Sequence, residues 1–326
     1  MKHIVILALK QVNVGSLENA RQAFLEANDY SEKNGEPPVF NVEVVGIDSP
    51  VHTGGGLYHI EVDRLIGEPG KADLIIIPPL RGNLADGIKQ NSAFIPWIFN
   101  QYQAGAQVAS LCLGAFILAA TGLLDNRPCV THWKASEEFE KLFPKVKLVN
   151  HRILTDEGGI YTGGGAFSSA NLVLYLIEKF AGRDVAIYCS KIFQVDWGRR
   201  SQTPFIIFTG QKSHADKEIR QAQALIEKRY RDRLSVSEII ADIGIGRRTF
   251  ERRFKKETGN TVMEYIQRVK VEAAKRELEK GYKTVNEVMY EVGYLDNKTF
   301  RNVFRKYSGM SPSDYRLKFV KVAVGA

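Results

Sequence analysis

The chain has 326 residues, 44% of them hydrophobic, which is enough apolar material for two domains that each have a core of their own. Its longest apolar runs, residues 73–80 and 108–120, are too short or too interrupted to cross a bilayer, so no membrane segment is expected. Three widely spaced cysteines argue against a disulfide framework or a zinc site, and we expect a cytoplasmic protein with no metal or cofactor.

The excess positive charge is concentrated in the last third of the chain. Residues 1–210 contain 19 Lys and Arg against 21 Asp and Glu, whereas residues 211–326 contain 26 against 16. The net charge is therefore −2 in the first part and +10 in the second. This asymmetry favours an acidic partner for the C-terminal part alone, and the commonest such partner is a nucleic-acid backbone. A basic helical domain that is merely soluble is the alternative.

The first 180 residues alternate short apolar strands with amphipathic helices. Unbroken apolar strands between helices indicate a mostly parallel sheet that is covered on both faces. We therefore predict an α/β doubly wound (flavodoxin-like) domain over residues 1–182. The predicted strands are residues 4–9, 42–47, 73–77, 107–111 and 160–162, and the predicted helices are residues 17–28, 93–104, 115–121, 134–142 and 168–180.

A cysteine lies where the fourth predicted strand passes into a helix, in the sequence SLCLGA at residues 110–115. Such an elbow exposes a thiol near helix N–H groups, which is how a catalytic nucleophile is presented. Three interpretations of Cys112 remain open: a packed cysteine without chemistry, a residue of an effector pocket, and a nucleophile or redox sensor. Likewise, the glycines at 163–165 either let a ligand approach backbone N–H groups at a helix start or form a tight turn.

The pattern weakens over residues 183–215, which we interpret as a linker, and residues 216–326 read as helices only. This last region contains an internal repeat, in which Gly244 aligns with Gly293, and the pair Phe250 and Phe254 aligns with Phe300 and Phe304. Each copy predicts an apolar helix, a glycine turn, and a second helix with two phenylalanines on one buried stripe. These are the parts of a helix-turn-helix unit, at about residues 235–258 and 284–307.

The second helix of each copy has a basic face opposite its phenylalanine stripe, as insertion into a major groove requires. One long helix is predicted between the copies, at residues 262–279, and it would place two recognition helices in major grooves about 34 Å apart. Two ordinary helical hairpins with solvated charges are the alternative. The basic residues are Arg247, Arg248, Arg252, Arg253, Lys255 and Lys256 in the first copy, and Lys298, Arg301, Arg305 and Lys306 in the second.

The region from residue 216 to 318 resembles the DNA-binding domain of the AraC/XylS family. The resemblance rests on RRFKKETG at 252–259, YIQRVKVEAAKRELE at 265–279 and FRKYSGMSPSDYR at 304–316. It implies that side chains of the two recognition helices read bases, with Arg pairing with guanine, Asn with adenine and Glu with cytosine. The implied DNA-binding residues are Arg247, Arg248, Glu251, Arg252, Asn297, Lys298, Arg301 and Asn302, whereas Arg253, Lys255, Arg305 and Lys306 either contact phosphates or are solvated.

The sequence CLGAFILAATGLLDNRPCVTHW at 112–133, together with residues 156–180, resembles the PfpI-like, class I glutamine amidotransferase-like superfamily. It closely resembles the version found in GlxA-type regulators, where this domain is fused to an AraC-type domain. Hydrolytic relatives carry a histidine directly after the cysteine, where this chain has Leu113, and an acidic residue near residues 13–18, where Glu18 is available. The resemblance implies a non-catalytic domain whose candidate effector pocket comprises Cys112, Leu113, His132, Gly164 and Gly165.

Together these features predict a sequence-specific transcription regulator, an activator controlled by a small metabolite bound to its N-terminal domain. The expected partners are promoter DNA, RNA polymerase, a second copy of the chain and an effector for which amino acids and amines are the implied classes. The alternative is a cysteine-dependent amidase or hydrolase with an accessory DNA-binding domain. A purely architectural DNA-binding protein is disfavoured by the large α/β domain.

Overall fold

The structure is a computed structural model that describes residues 1–196, 198 and 201–320. The chain divides into two compact units, Met1–Gln202 and Thr203–Ala326. Residues 321–326, which the sequence analysis assigns to the C-terminal domain, lie outside the described residues. In the described part of the chain, no helix combines the length and the apolar character that crossing a bilayer needs.

A seven-stranded sheet forms the centre of the first unit. The strands of this unit are β1 (Lys2–Ala8), β2 (Phe40–Gly46), β3 (Val51–Thr53), β4 (Tyr58–Ile60), β5 (Arg64–Leu65), β6 (Leu74–Ile77), β7 (Gln107–Leu111), β8 (Pro128–Cys129), β9 (Lys147–Leu148), β10 (Leu154–Glu157) and β11 (Ile160–Gly163). The order across the sheet is β10-β11-β7-β6-β1-β2-β5. Only the edge pair β10–β11 is antiparallel within this sheet, so it is a mostly parallel sheet, as predicted.

Helices cover both faces of this sheet. They are α1 (Val14–Lys33), α2 (Leu84–Gln90), α3 (Phe94–Gln103), α4 (Ala115–Ala120), α5 (Ser136–Leu142), α6 (Ser169–Ala181) and α7 (Arg183–Ile192). Helices α1, α6 and α7 pack against one another on one face, and α2 and α3 pack on α4 on the other. Strands such as β6, whose four residues are all buried, lie between these two layers. The predicted doubly wound α/β class is therefore confirmed.

The order of the strands determines where a ligand can bind. Strands β1, β7 and β11 are parallel members of one sheet, so their carboxyl ends lie at the same edge. In open α/β sheets, ligand sites form outside the carboxyl ends of the strands. Helices α1 and α6 begin a few residues after β1 and β11, which brings both helix N-termini to this edge.

The segment 183–215, interpreted as a linker, contains structure that the sequence analysis does not predict. Its first ten residues form α7, which packs on α1 and α6 through the buried side chains Val185, Ala186 and Cys189. Its last part belongs to the second unit, where Phe208 packs against the core. The division between the units falls at Gln202.

The second unit is helical. Its helices are α8 (Lys217–Lys228), α9 (Val236–Ala241), α10 (Arg247–Thr258), α11 (Val262–Lys280), α12 (Val285–Glu291), α13 (Asn297–Ser308) and α14 (Pro312–Phe319). Capping boxes begin α9 and α12 at equivalent positions, with Ser235 and Glu238 in the first and Thr284 and Glu287 in the second. The predicted all-α domain is confirmed, and the internal repeat corresponds to α9–α10 and α12–α13.

Candidate nucleic-acid interface and ligand cavity

A glycine in the left-handed region makes the turn in each helix pair. Gly244 has φ of 76° between α9 and α10, and Gly293 has φ of 77° between α12 and α13. Side chains other than glycine rarely adopt this conformation, so the aligned glycines have a conformational reason to recur. The predicted glycine turns are confirmed.

The second helix of each pair is amphipathic in the way a recognition helix requires. Phe250 and Phe254 of α10 are fully buried, as are Phe300 and Phe304 of α13, and each pair packs ring against ring at 5.5 and 5.8 Å. The opposite faces point to solvent. The exposed candidate residues are Arg247, Arg248, Glu251 and Arg252 on α10, and Lys298, Arg301 and Asn302 on α13.

Three candidate residues are already engaged within the fold. Arg247 donates to the Glu251 carboxylate at 3.0 Å, so these two side chains restrain each other on α10. Asn297 is half-buried, and its amide donates to Oδ1 of Asn286 on α12 at 2.8 Å. In contrast, within the described part of the chain, Arg248, Arg252, Lys298 and Arg301 make no ion pair, and their side chains are exposed to solvent.

Arg253 has a structural role. The sequence alone leaves two interpretations of this residue open, a contact with phosphate and a solvated side chain. Its guanidinium bonds Asp216 at 2.6 and 2.8 Å and Glu218 at 2.9 Å, at the start of α8. These bonds hold the pKa of Asp216 below its usual range, because Arg253 donates to the carboxylate. Sequence spacing alone could not identify this partner, which lies 37 residues away.

The five candidate pocket residues lie around the carboxyl ends of β7 and β11. Cys112 has φ of 53° and opens a short 3-10 turn before α4. A Cβ added at Gly114 would overlap the backbone oxygen of Ile77, so only glycine allows the elbow to approach β6 this closely. The Cys112 carbonyl accepts a hydrogen bond from the Thr131 hydroxyl at 2.9 Å, which connects the elbow to the segment that carries His132.

The two glycines of the candidate pocket are positions of close approach. A Cβ at Gly165 would overlap the imidazole ring of His132, and the Gln202 amide lies against Gly164. The structure thus brings His132, Gly164 and Gly165 together, with Cys112 joined to them through Thr131. Leu113 is partly buried and packs on the core of the first unit.

A cavity of about 690 Å³ lies beside this cluster. Leu111 and Ala166, the sequence neighbours of Cys112 and Gly165, contribute to its wall, whereas the five predicted residues themselves do not. The remaining walls come from the start of α1, from Phe167 and α6, and from a segment assigned to the linker, and sequence reasoning did not identify them as part of a site. The lining residues are Asn13, Gly15, Ser16, Asn19, Ala20, Ala23, Leu111, Ala166, Phe167, Ser169, Ala170, Val173, Leu174, Phe193, Gln194, Val195 and Asp196.

The cavity wall is apolar with a few polar groups. Asn13 caps α1, its side chain accepting from the Ser16 backbone N–H, and both residues line the cavity beside Ser169 at the start of α6. Phe167, 87% exposed, and Phe193 add aromatic surface that is open to solvent. A concave, mostly apolar site with a few convergent polar groups is the usual form of a small-molecule site.

The environment of Cys112 does not favour a thiolate. The side chain is only 5% exposed, and burial raises the pKa of the thiol, although the N–H groups of Ala166 and Leu113 partly oppose this shift. Burial also lowers the pKa of His132, whose Nδ1 accepts from the Lys134 backbone N–H at 3.1 Å. Glu18 bonds Arg21 and Gln22 on the outer face of α1 instead of lining the cavity.

Comparison with known families matches two separate segments of the chain. The DJ-1/PfpI family matches residues 34–179, and a helix-turn-helix domain matches residues 232–318. The first segment lies within the doubly wound unit but leaves out β1 and α1, and the second contains both repeated helix pairs. An AraC family transcriptional regulator from Pseudomonas putida has a similar fold, with a TM-score of 0.50 and 17% identity over 59% of this chain and 100% of that one.

Among curated proteins, the chain is 25% identical to the HTH-type transcriptional regulator GbdR of Pseudomonas aeruginosa over 66% of this chain and 59% of that protein. It is also 25% identical to the regulator GlxA of Rhizobium meliloti, over 65% of each. Isonitrile hydratase of Pseudomonas putida is 28% identical, over only 35% of this chain and 48% of that enzyme. The matched segment thus spans less than two thirds of these relatives. The chain combines a DJ-1/PfpI domain with an AraC-type helix-turn-helix domain.

Proposed function

We propose that this chain is a cytoplasmic, sequence-specific transcription regulator, an activator whose α/β domain binds a small metabolite. Promoter DNA, RNA polymerase and a second copy of the chain are its proposed partners. The observation that carries this proposal is the duplicated helix-turn-helix unit, in which a buried phenylalanine stripe lies opposite unpaired cations. The regulators GbdR and GlxA, which are 25% identical over about two thirds of this chain, support the same function.

The charge and length of the second unit support binding to one face of a duplex. The unpaired cations of α10 and α13 can replace counterions on the phosphate backbone, which supplies affinity without sequence preference. The connecting helix α11 has 19 residues and is therefore about 28 Å long, close to one turn of B-DNA. Two recognition helices at its ends would fit two successive major grooves.

The test of this function is selection of genomic DNA fragments by the purified full chain. We expect enrichment of a few promoter fragments that share one motif with two halves about ten base pairs apart. Binding should weaken steeply as salt rises, because phosphate contacts release counterions. Recovery of random fragments without a motif would contradict sequence-specific regulation and would favour an architectural role.

The cavity supports control by a small effector. Amino acids and amines are among the classes of compound to be tested as that effector. The cavity walls come from four separate segments, so a bound ligand would join parts of the unit that are far apart in sequence. A ligand can regulate DNA binding only if it has different affinities for two states of the chain. The polar groups of Asn13, Ser16 and Asp196 would orient the ligand against the apolar wall.

Filling the cavity should abolish the response to an effector. Ala170 of α6 lines the cavity, whereas Ala181 at the other end of α6 does not. We expect a metabolite panel to contain compounds that raise the melting temperature of the parent and of Ala181→Trp but not of Ala170→Trp. At a ligand concentration 100 times Kd the stabilisation is about 2.7 kcal/mol. If the Ala170→Trp variant still responded like the parent, the effector would not bind in this cavity.

The same geometry argues against the alternative function as a cysteine-dependent hydrolase. A nucleophilic cysteine needs a thiolate and a base within hydrogen-bond reach. Cys112 has a raised pKa, its following residue is Leu113 rather than histidine, and Glu18 lies on the outer face of α1. We therefore propose that Cys112 serves as a structural residue of the elbow next to the cavity.

A further inference from the structure

The second unit contains two hydrophobic cores, and each of them packs on a different half of α11. The first core includes Tyr265 and Ile266, and the second includes Val271 and Leu278. The first core buries the phenylalanines of α10, and the second buries those of α13. The mutual orientation of the two recognition helices therefore depends on α11 and on whatever else connects the two cores.

A short segment at the start of the unit, Thr203–Phe208, contacts both sides, and we call it the strap. The first residues of the strap lie on the side of the second core. Thr203 and Pro204 lie against Gly309 at the end of α13. The ring of Phe205 packs edge-on against Phe319 of α14 at 5.7 Å, and the Lys318 ammonium lies 4.9 Å from the centre of the Phe205 ring.

The other end of the strap belongs to the first core. The ring of Phe208 packs against Tyr265 at 5.2 Å. The guanidinium of Arg268 on α11 lies 5.5 Å from the Phe208 ring and 5.0 Å from the ring of Tyr307 on α13. Arg268 thus connects the strap to the second recognition helix.

A buried ion pair on α11 binds the backbone of the strap between these two ends. Lys275 donates to the Ile206 carbonyl, and Glu272 accepts from the Phe208 backbone N–H at 3.1 Å. The two side chains also pair with each other at 3.2 Å and are 4% and 9% exposed. Buried ion pairs often add no stability over apolar residues of the same size, because desolvation offsets their attraction. Their directional bonds nevertheless hold the strap in one register.

We propose that Glu272 and Lys275 are positioning residues that hold the strap across α11 and thereby set the second recognition helix relative to the first. This inference rests on the proposed regulator function, because the readout is binding to two major grooves. Lys270 provides a second link, donating to the carbonyl oxygens of Asp232 and Gly293 at 3.3 Å each. Loss of the strap contacts therefore weakens the arrangement without abolishing it.

The test compares full-chain variants on duplexes that the parent chain has selected from a random pool. One duplex carries both halves of the motif, and a second carries only the half read by α10. For Glu272→Gln/Lys275→Met we expect about tenfold weaker binding to the complete duplex, because the second contact loses its preorganisation. Footprinting should show lost protection over the second half. Affinity for the half-site duplex should match that of the parent within about twofold.

Two further variants separate positioning from folding. Phe205→Ala removes a partly exposed anchor of the strap without touching the buried pair, and it should give the same pattern. Tyr282→Ala is the control, because Tyr282 is 91% exposed, and it should bind both duplexes like the parent. Parent-like binding of both strap variants to the complete duplex, or an equal loss on both duplexes, would overturn the inference. A parent chain that selects no motif would overturn the regulator proposal itself, and the inference with it.

Discussion

Replacing Arg252 with alanine should weaken binding of the full chain to its selected duplex by roughly 10- to 100-fold at matched salt. Arg252 lies on the exposed face of α10, opposite Phe250 and Phe254, and has no ion pair among the described residues. Its guanidinium is therefore free to bond two acceptors of a guanine, and alanine leaves those acceptors unpaired. The melting temperature should stay within a few degrees of the parent, because a solvent-facing side chain contributes little to folding.

Arg253 provides a matched control, since it is the same residue type at the next position of the same helix. Its guanidinium is bound by Asp216 and Glu218, so Arg253→Ala should change DNA affinity by less than about threefold while lowering the melting temperature. A competition assay with single-base variants of the duplex should show relaxed preference at one position for Arg252→Ala only. Equal affinities of the parent and of Arg252→Ala for the selected duplex would show that α10 does not take part in base recognition.

Much of this fold could be predicted from local pattern, because its main strands are apolar runs of four to seven residues. β7 has the predicted bounds, Gln107–Leu111, and α6 begins and ends one residue after the predicted helix. The two-residue strands β5, β8 and β9 were missed, since two residues carry no periodicity. Helix α7 was missed for a different reason. It follows Gly182 directly, and only packing on α1 and α6 shows that its apolar residues share one buried face.

The sites were less predictable than the elements that carry them. The repeat identified both recognition helices, because Gly244 and Gly293 have a local conformational requirement that any sequence comparison can detect. The pairing of Arg253 with Asp216 connects residues far apart in the chain, so charge patterning on one helix could not distinguish it from Arg252. The cavity depends even more on tertiary structure, since its lining runs from Asn13 to Asp196 and excludes the residues whose motif suggested a pocket.

The repeat also predicts that one mutation has different effects in its two copies. Gly244 and Gly293 have the same left-handed φ, which costs an alanine about 1–2 kcal/mol. A Cβ at Gly244 meets no atom within 4 Å, whereas a Cβ at Gly293 would overlap the Arg231 carbonyl oxygen and lie 2.7 Å from the Lys270 ammonium. Overpacking adds about 1–3 kcal/mol, so Gly293→Ala should destabilise the second unit by about 2–5 kcal/mol. Gly244→Ala should destabilise it only by the backbone strain of about 1–2 kcal/mol.

Spectroscopy can assign the loss of stability to one of the two units. All three tryptophans, at positions 97, 133 and 197, precede residue 203, so tryptophan fluorescence reports on the first unit alone. For Gly293→Ala, the urea transition of the helical circular dichroism signal should shift while the tryptophan fluorescence transition stays in place. The variant should also lose protection of the second half of the motif, since Arg231 and Lys270 hold the turn before α13. Equal shifts for the two glycine variants would mean that the α12–α13 turn is not packed against the Arg231 segment, and the second recognition helix would then lack the support that reading a groove requires.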